Sequence, residues 1–201
     1  MSLALIAILA IRLISLWHNN SELFFDEAQY WYWAQTPAFG YFSKPPMLAW
    51  LIALSTHVCG SSSEFCVRLA APIIHSLTAF MIALAASHWL DRKTGFVAGV
   101  IYALLPGVSL SSTLISTDVP LLFFWSVALY AWIRLAEKPA WFWTLLLGVA
   151  FGAGMLSKYA MIYFVIGGAI CLPVVGRTHA PPAKHLLIAI TIAALCFAPN
   201  V

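Results

Sequence analysis

Apolar residues run along the chain in blocks, near 3–17, 65–89, 95–113, 119–136, 141–157, 160–175 and 186–199, separated by short charged or Pro/Gly breaks. Each block approaches the ~20 residues that a helix needs to cross a ~30 Å hydrocarbon core. The period-two alternation of a barrel strand is absent, so the blocks are read as helices, which satisfy their own backbone hydrogen bonds in lipid. The pattern therefore predicts an all-α, polytopic transmembrane helical bundle with seven spans. One long segment, 18–64, lies outside them, with short connectors at Asp91–Thr94, Arg134–Pro139 and Gly176–His185. Within 18–64 the apolar stretch 47–58 would be about 18 Å long as a helix, too short to span, and is expected to lie along the membrane surface.

Composition agrees. Of 201 residues, 63% are hydrophobic and only 8% charged, against about 25% charged in soluble domains. A formal charge of +3, with its cations dispersed, gives no footprint for nucleic acid. The first block has no basic leader and no small-x-small cleavage site before His18, so it is a span and not a removed signal peptide. It is short and contains Arg12, as a tilted, interface-ending helix or a missing start would explain. The chain stops at Phe197-Ala198-Pro199-Asn200-Val201 without a polar tail. It is expected to be a single membrane-embedded domain, 1–201, truncated at its C-terminus.

Charge sets the orientation. Arg92, Lys93, Arg134, Lys138, Arg177 and Lys184 fall in connectors on one side, which the positive-inside tendency makes cytoplasmic. The other side receives Lys44, Arg68 and Lys158 and five of the seven acids, Glu22, Asp26, Glu27, Glu64 and Asp118. Segment 18–64 is then the first extracytoplasmic loop of an inner (plasma) membrane protein, and the carboxylates face the periplasm or exterior.

Within that loop, 24–35 reads Phe-Phe-Asp-Glu-Ala-Gln-Tyr-Trp-Tyr-Trp-Ala-Gln, an acidic helix start followed by aromatics suited to the headgroup zone. Asp26 can be a helix-start residue or a base toward an acceptor hydroxyl. Lys44 precedes Pro45-Pro46, which stiffen the backbone behind it. Its ammonium can snorkel toward lipid phosphates or neutralise the phosphate of a lipid-linked donor. Asp118, followed by Pro120, reads either as a helix N-cap or as a second carboxylate on the face of Asp26. Two carboxylates from separate segments can orient an acceptor, bind a cation or bias a pKa.

The order Asp26-Glu27-Ala28-Gln29-Tyr30, Phe42-Ser43-Lys44-Pro45-Pro46, Arg68-Leu69, Thr117-Asp118-Val119-Pro120 and Leu156-Ser157-Lys158-Tyr159 resembles the GT-C superfamily of membrane glycosyltransferases. The similarity is to the bacterial branch of protein O-mannosyltransferases and aminoarabinose transferases. It implies transfer of a hexosyl or pentosyl group, with inversion, from a polyprenyl-phosphate donor to an extracytoplasmic lipid, glycan or protein acceptor. By position, it implies Asp26 and Asp118 as the catalytic carboxylates, Lys44, Arg68 and Lys158 as donor-phosphate contacts, and Glu27 as an additional candidate. Some relatives carry an acid just before the lysine that contributes to a metal site. Here that position is Ser43, so no metal ligand is assigned, although a divalent cation at the carboxylates stays open.

Two other readings compete: a transporter or flippase with charges lining a midplane pathway, and an inactive scaffold fragment. Acids at the outer boundary and nearly charge-free span interiors disfavour the first. The six histidines, His18, His57, His75, His88, His179 and His185, are scattered and form no ligand motif. His75, inside the second span, is expected to be a hydrogen-bonded packing residue. Cys171 and Cys196 lie in apolar spans as packing residues, whereas Cys59 and Cys66 flank the outer loop, where a disulfide could persist. Gly148 and Gly152 form a small-xxx-small pair expected to pack against another helix of the same chain.

Overall fold

The computed structural model describes residues 2–42, 44–175 and 180–200. Ser43, Arg177 and His179, singled out above, lie outside them. The described residues are helical, with one isolated antiparallel bridge between Tyr41 and Lys44. In order the helices are α1 (Ser2–Trp17), α2 (Phe25–Ala34), α3 (Met47–Cys59), α4 (Glu64–Arg68), α5 (Ala70–Trp89), α6 (Arg92–Leu104), α7 (Pro106–Ser111), α8 (Asp118–Glu137), α9 (Trp141–Ser157), α10 (Ile162–Val175) and α11 (Ala183–Phe197). Short 3-10 turns cover Tyr159–Met161 and Ala198–Asn200. The all-helical architecture follows from the apolar blocks.

Among the described residues, three continuous helical stretches have at least 18 residues and the apolarity to cross a membrane: Glu64–Trp89, which joins α4 to α5, Asp118–Glu137, and Ala183–Asn200, which joins α11 to the last 3-10 turn. Leu3–Trp17, Trp141–Ser157 and Tyr159–Cys171 are apolar but shorter, as is Met47–Cys59 within 18–64. The expected span over 95–113 is broken. Pro106 offers no N–H to the preceding turn and drives Leu105 to φ −56°, ψ 133°, so α6 ends and α7 starts afresh. Arg12 explains how the break is tolerated. Its side chain is buried, not snorkelling at an interface, and Nη2 donates to the carbonyl of Ala103, one of the acceptors left over at the end of α6.

Helix α5 is the hub, packing against α1, α6 and α8, while α8 packs on α9 and α9 on α11. The α9–α11 contact is as close as Gly148 and Gly152 promise. A Cβ on Gly152 would come 2.6 Å from Cys196 Cβ, and one on Gly148 2.7 Å from the carbonyl of Ala189. Cys196 is thus a partly buried thiol at that seam, whereas Cys171 is exposed on α10. His75 is fully buried, with Nδ1 3.0 Å from the Tyr102 hydroxyl and Nε2 3.0 Å from Ser111 Oγ, tying α5 to α6 and α7.

Segment 18–64 is a folded platform. Helix α3 terminates at Gly60, whose φ of +64° suits glycine, and Ser63 Oγ caps α4 by accepting from Cys66 N at 3.4 Å. A disulfide joins Cys59 to Cys66 across this turn, with Cα atoms 6.0 Å apart. Leu48, Ala49 and Ile52 of α3 bury against Tyr30 and Ala34 of α2 and against Val67, Ala71 and Val119. The platform thereby sits on the N-terminal ends of α5 and α8.

Candidate active site

Asp26 and Glu27 are neighbours in the first turn of α2 with opposite fates. Helical rotation of about 100° per residue points them to different faces. Asp26 faces out, its side chain 73% exposed. Glu27, 2% exposed, turns inward to Arg68, which is 0% exposed. Glu27 Oε1 accepts from Arg68 Nε at 2.9 Å and Oε2 from Nη2 at 2.7 Å, the two-pronged geometry that guanidinium and carboxylate favour. The other Arg68 protons go to Ser21 O and Oγ, both 3.0 Å from Nη1, and to Glu22 O, 2.8 Å from Nη2. Glu27 further accepts the backbone N–H of Phe24 at 2.9 Å, closing the start of α2, and that of Ile115 at 2.8 Å.

Arg68, a donor-phosphate contact by resemblance, has the surroundings of a structural residue. All three Arg68 nitrogens are engaged inside the protein, so the residue has no free donor for a phosphate. Arg68 and Glu27 form a buried rivet that holds the segment before Asp26, the end of α4 and the turn before Asp118 in one place.

Lys44 and Asp26 are brought together. Lys44 Nζ donates to Asp26 Oδ1 at 3.1 Å and to Gln29 Oε1 at 2.9 Å, and lies 5.3 Å from the centre of the Tyr30 ring. The backbone bridge between Tyr41 and Lys44 and the stacking of Tyr41 on Trp33, centroids 4.8 Å apart, fix the turn that presents it. A second pair mirrors the first. Lys158, just past the C-terminus of α9, donates to Asp118 Oδ1 at 2.8 Å. Asp118 is the first residue of α8, not its cap; Thr117 holds the cap position. Packing brings the pairs to the same end: Tyr30 of α2 shares a buried cluster with Ile115 and Val119, which flank Asp118, and Ile115 N donates to Glu27 Oε1; burial first, then the charges of Asp26 and Tyr159, push the Tyr30 phenol up to about 12. Four segments distant in sequence so converge on one end of the bundle.

Both pairs are partly exposed, with side chains 33% and 73% open for Lys44 and Asp26, and 43% and 52% for Lys158 and Asp118. Exposed pairs of this kind contribute roughly 0–1 kcal/mol, so a phosphate can displace either carboxylate from its lysine at small cost. Among the described residues no group of three or more His, Cys, Asp or Glu side chains could hold a metal ion. Gln29 and Tyr30 are site residues that the pattern of charges does not single out. Gln29 was legible in principle, one helical turn after Asp26.

An apolar helical bundle with paired lysines and carboxylates at one end has the layout of a GT-C-type membrane glycosyltransferase. Residues 43–201 match the dolichyl-phosphate-mannose-protein mannosyltransferase family, and the chain belongs to it. The chain is 38% identical over 189 residues to lipid A galacturonosyltransferase RgtD of Rhizobium johnstonii, covering 94% of this chain and 40% of that protein. It therefore spans about two fifths of that relative's length. In fold it is similar to the S. cerevisiae protein O-mannosyltransferase Pmt1-Pmt2 complex bound to the sugar donor. The TM-score is 0.69 at 16% identity, over 98% of this chain and 31% of that one.

Proposed function

We propose that this chain forms the donor-handling front of a glycosyltransferase that moves a sugar from a polyprenyl-phosphate carrier to an extracytoplasmic acceptor with inversion. The observation that carries the reading is that the ion pairs Asp26–Lys44 and Asp118–Lys158 stand on segments that share one buried cluster, Tyr30 with Ile115 and Val119, at one end of an apolar bundle. A lipid-borne donor brings its phosphate to that boundary by itself, with its prenyl tail in the membrane. Lys44 and Lys158 exchange their carboxylate partners for the phosphate oxygens and stabilise the charge that builds as the sugar leaves. Asp26, released from Lys44, accepts the proton of the acceptor hydroxyl. The acceptor oxygen attacks the anomeric carbon opposite the phosphate, the bond from that carbon to the phosphate oxygen breaks, and its electron pair leaves with the polyprenyl phosphate. Asp118 orients the acceptor.

The likeness to a lipid A galacturonosyltransferase over 94% of the chain supports a hexose-derived sugar and a saccharide-lipid acceptor. The Cys59–Cys66 disulfide supports an oxidising, extracytoplasmic side for the platform. The test uses the full-length protein in proteoliposomes with a radiolabelled polyprenyl-phosphate sugar. Asp26→Asn should lower transfer about 10²- to 10⁴-fold, and undiminished transfer would remove Asp26 from the reaction. Cysteine labelling that finds 18–64 in the cytoplasm would reverse the orientation.

A further inference from the structure

Lys44 and Lys158 stand on parts of the chain with little shared packing, and one side chain spans them. Asn200 Nδ2 donates to the carbonyl of Phe39 at 2.9 Å, and its Oδ1 accepts from the Tyr159 hydroxyl at 3.3 Å. Phe39 belongs to the turn that carries Lys44. Among the described residues, the turn's other hydrogen bonds run within its own platform: Trp50 Nε1 donates to Ala38 O at 2.8 Å, and the Tyr41 hydroxyl accepts from Ala38 N at 3.0 Å. Tyr159 directly follows Lys158 and packs edge-on against Phe197, centroids 6.0 Å apart. The Asn200 amide thus closes the seam between the two lysines. Its chemistry suits the place, because the Phe39 carbonyl demands a donor and the Tyr159 hydroxyl can supply a proton to the amide oxygen. The amide also lies directly over Gly40, where an added Cβ would come 2.5 Å from Asn200 Nδ2. A methyl at this position would therefore displace the amide from the Phe39 carbonyl.

We infer that Asn200 is a positioning residue for the donor, a clasp that holds the Lys44 turn against the Lys158 turn so that both ammonium groups meet one phosphate. This rests on the proposed polyprenyl-phosphate reaction. Without the clasp the Lys44 turn remains attached to the platform but is free to swing from Lys158, so donor binding weakens while the chemical step, once both lysines engage, is retained.

The experiment uses the full-length protein in proteoliposomes, with a polyprenyl-phosphate sugar as varied substrate at saturating acceptor. Asn200→Leu removes both bonds, Asn200→Asp keeps an acceptor for Tyr159 but sets a carboxylate against the Phe39 carbonyl, and Gly40→Ala pushes the amide away from the other side. All three should raise the donor KM about five- to tenfold, with kcat within about twofold, as expected for loss of one or two hydrogen bonds that act in binding. Hydrogen exchange over 36–44 should quicken in the same variants, independently of substrate. Faster exchange with an unchanged donor KM would show a clasp that does not position, and unchanged exchange would show no clasp; either overturns the inference. Wild-type protein that transfers from no polyprenyl-phosphate sugar overturns the proposed function and this role with it, whereas active wild type with indifferent variants overturns the role alone.

Discussion

Replacing Arg68 by methionine tests the buried rivet. Methionine fills much of the same volume but removes five hydrogen bonds, two to Glu27, two to Ser21 and one to Glu22. It leaves the Glu27 carboxylate, 2% exposed, with only the N–H groups of Phe24 and Ile115. Breaking a buried pair from one side costs about 3–5 kcal/mol, because the remaining charge is stranded. Glu27→Gln is the milder converse: the amide keeps one acceptor oxygen, yet Arg68 then lacks its counter-charge. The double variant Glu27→Gln/Arg68→Met strands no charge, so it should be less destabilised than the sum of the singles, by about 1–3 kcal/mol of coupling. Equilibrium unfolding of the full-length protein in detergent micelles measures all four corners of the cycle. Arg68→Met within about 0.5 kcal/mol of wild type, or strictly additive singles, would refute the rivet.

Three further outcomes follow from the geometry. Folded Tyr30 titrates near 12 and not 10, so between those values the folded phenol keeps a proton that the unfolded one has lost; stability should fall as pH rises through this window, and Tyr30→Phe should flatten that part of a stability–pH curve. Cys59→Ser/Cys66→Ser removes a cross-link between residues seven apart in sequence and should cost about 2.5 kcal/mol on loop entropy, while reductant should shift wild type toward the variant and leave the variant unmoved. Gly152→Leu drives side-chain atoms into Cys196 and Ala193 and should cost at least about 1–3 kcal/mol, measured by the same unfolding assay, whereas Gly167→Ala, where an added Cβ meets nothing within 4 Å, should not.

The apolar blocks made the helices legible, because chains in lipid have few other options. The break at Pro106 was legible too, but an apolar run carries the eye across a proline whose freed carbonyls find a partner 91 residues away in Arg12. Asp26, Lys44, Asp118 and Lys158 stand out as charges at the boundary of apolar segments. Their pairing does not, since it depends on how α2, α8 and the ends of α3 and α9 are set. Glu27 and Arg68 look like two more boundary charges in sequence, and only the tertiary packing separates the buried pair from the accessible one. Asn200, uncharged and at the far end of the chain, carries no signal at all.

In the proposed reaction Lys44 holds the donor and Asp26 performs the chemistry. Equilibrium binding of a labelled polyprenyl-phosphate sugar, measured beside single-turnover transfer in the full-length protein, separates the two roles. Asp26→Asn should bind the donor within about threefold of wild type and fail to transfer, whereas Lys44→Ala should lose about tenfold or more in donor affinity, as for a charged hydrogen bond removed. Undiminished donor affinity in Lys44→Ala, or wild-type transfer by Asp26→Asn, would rule out this division of roles.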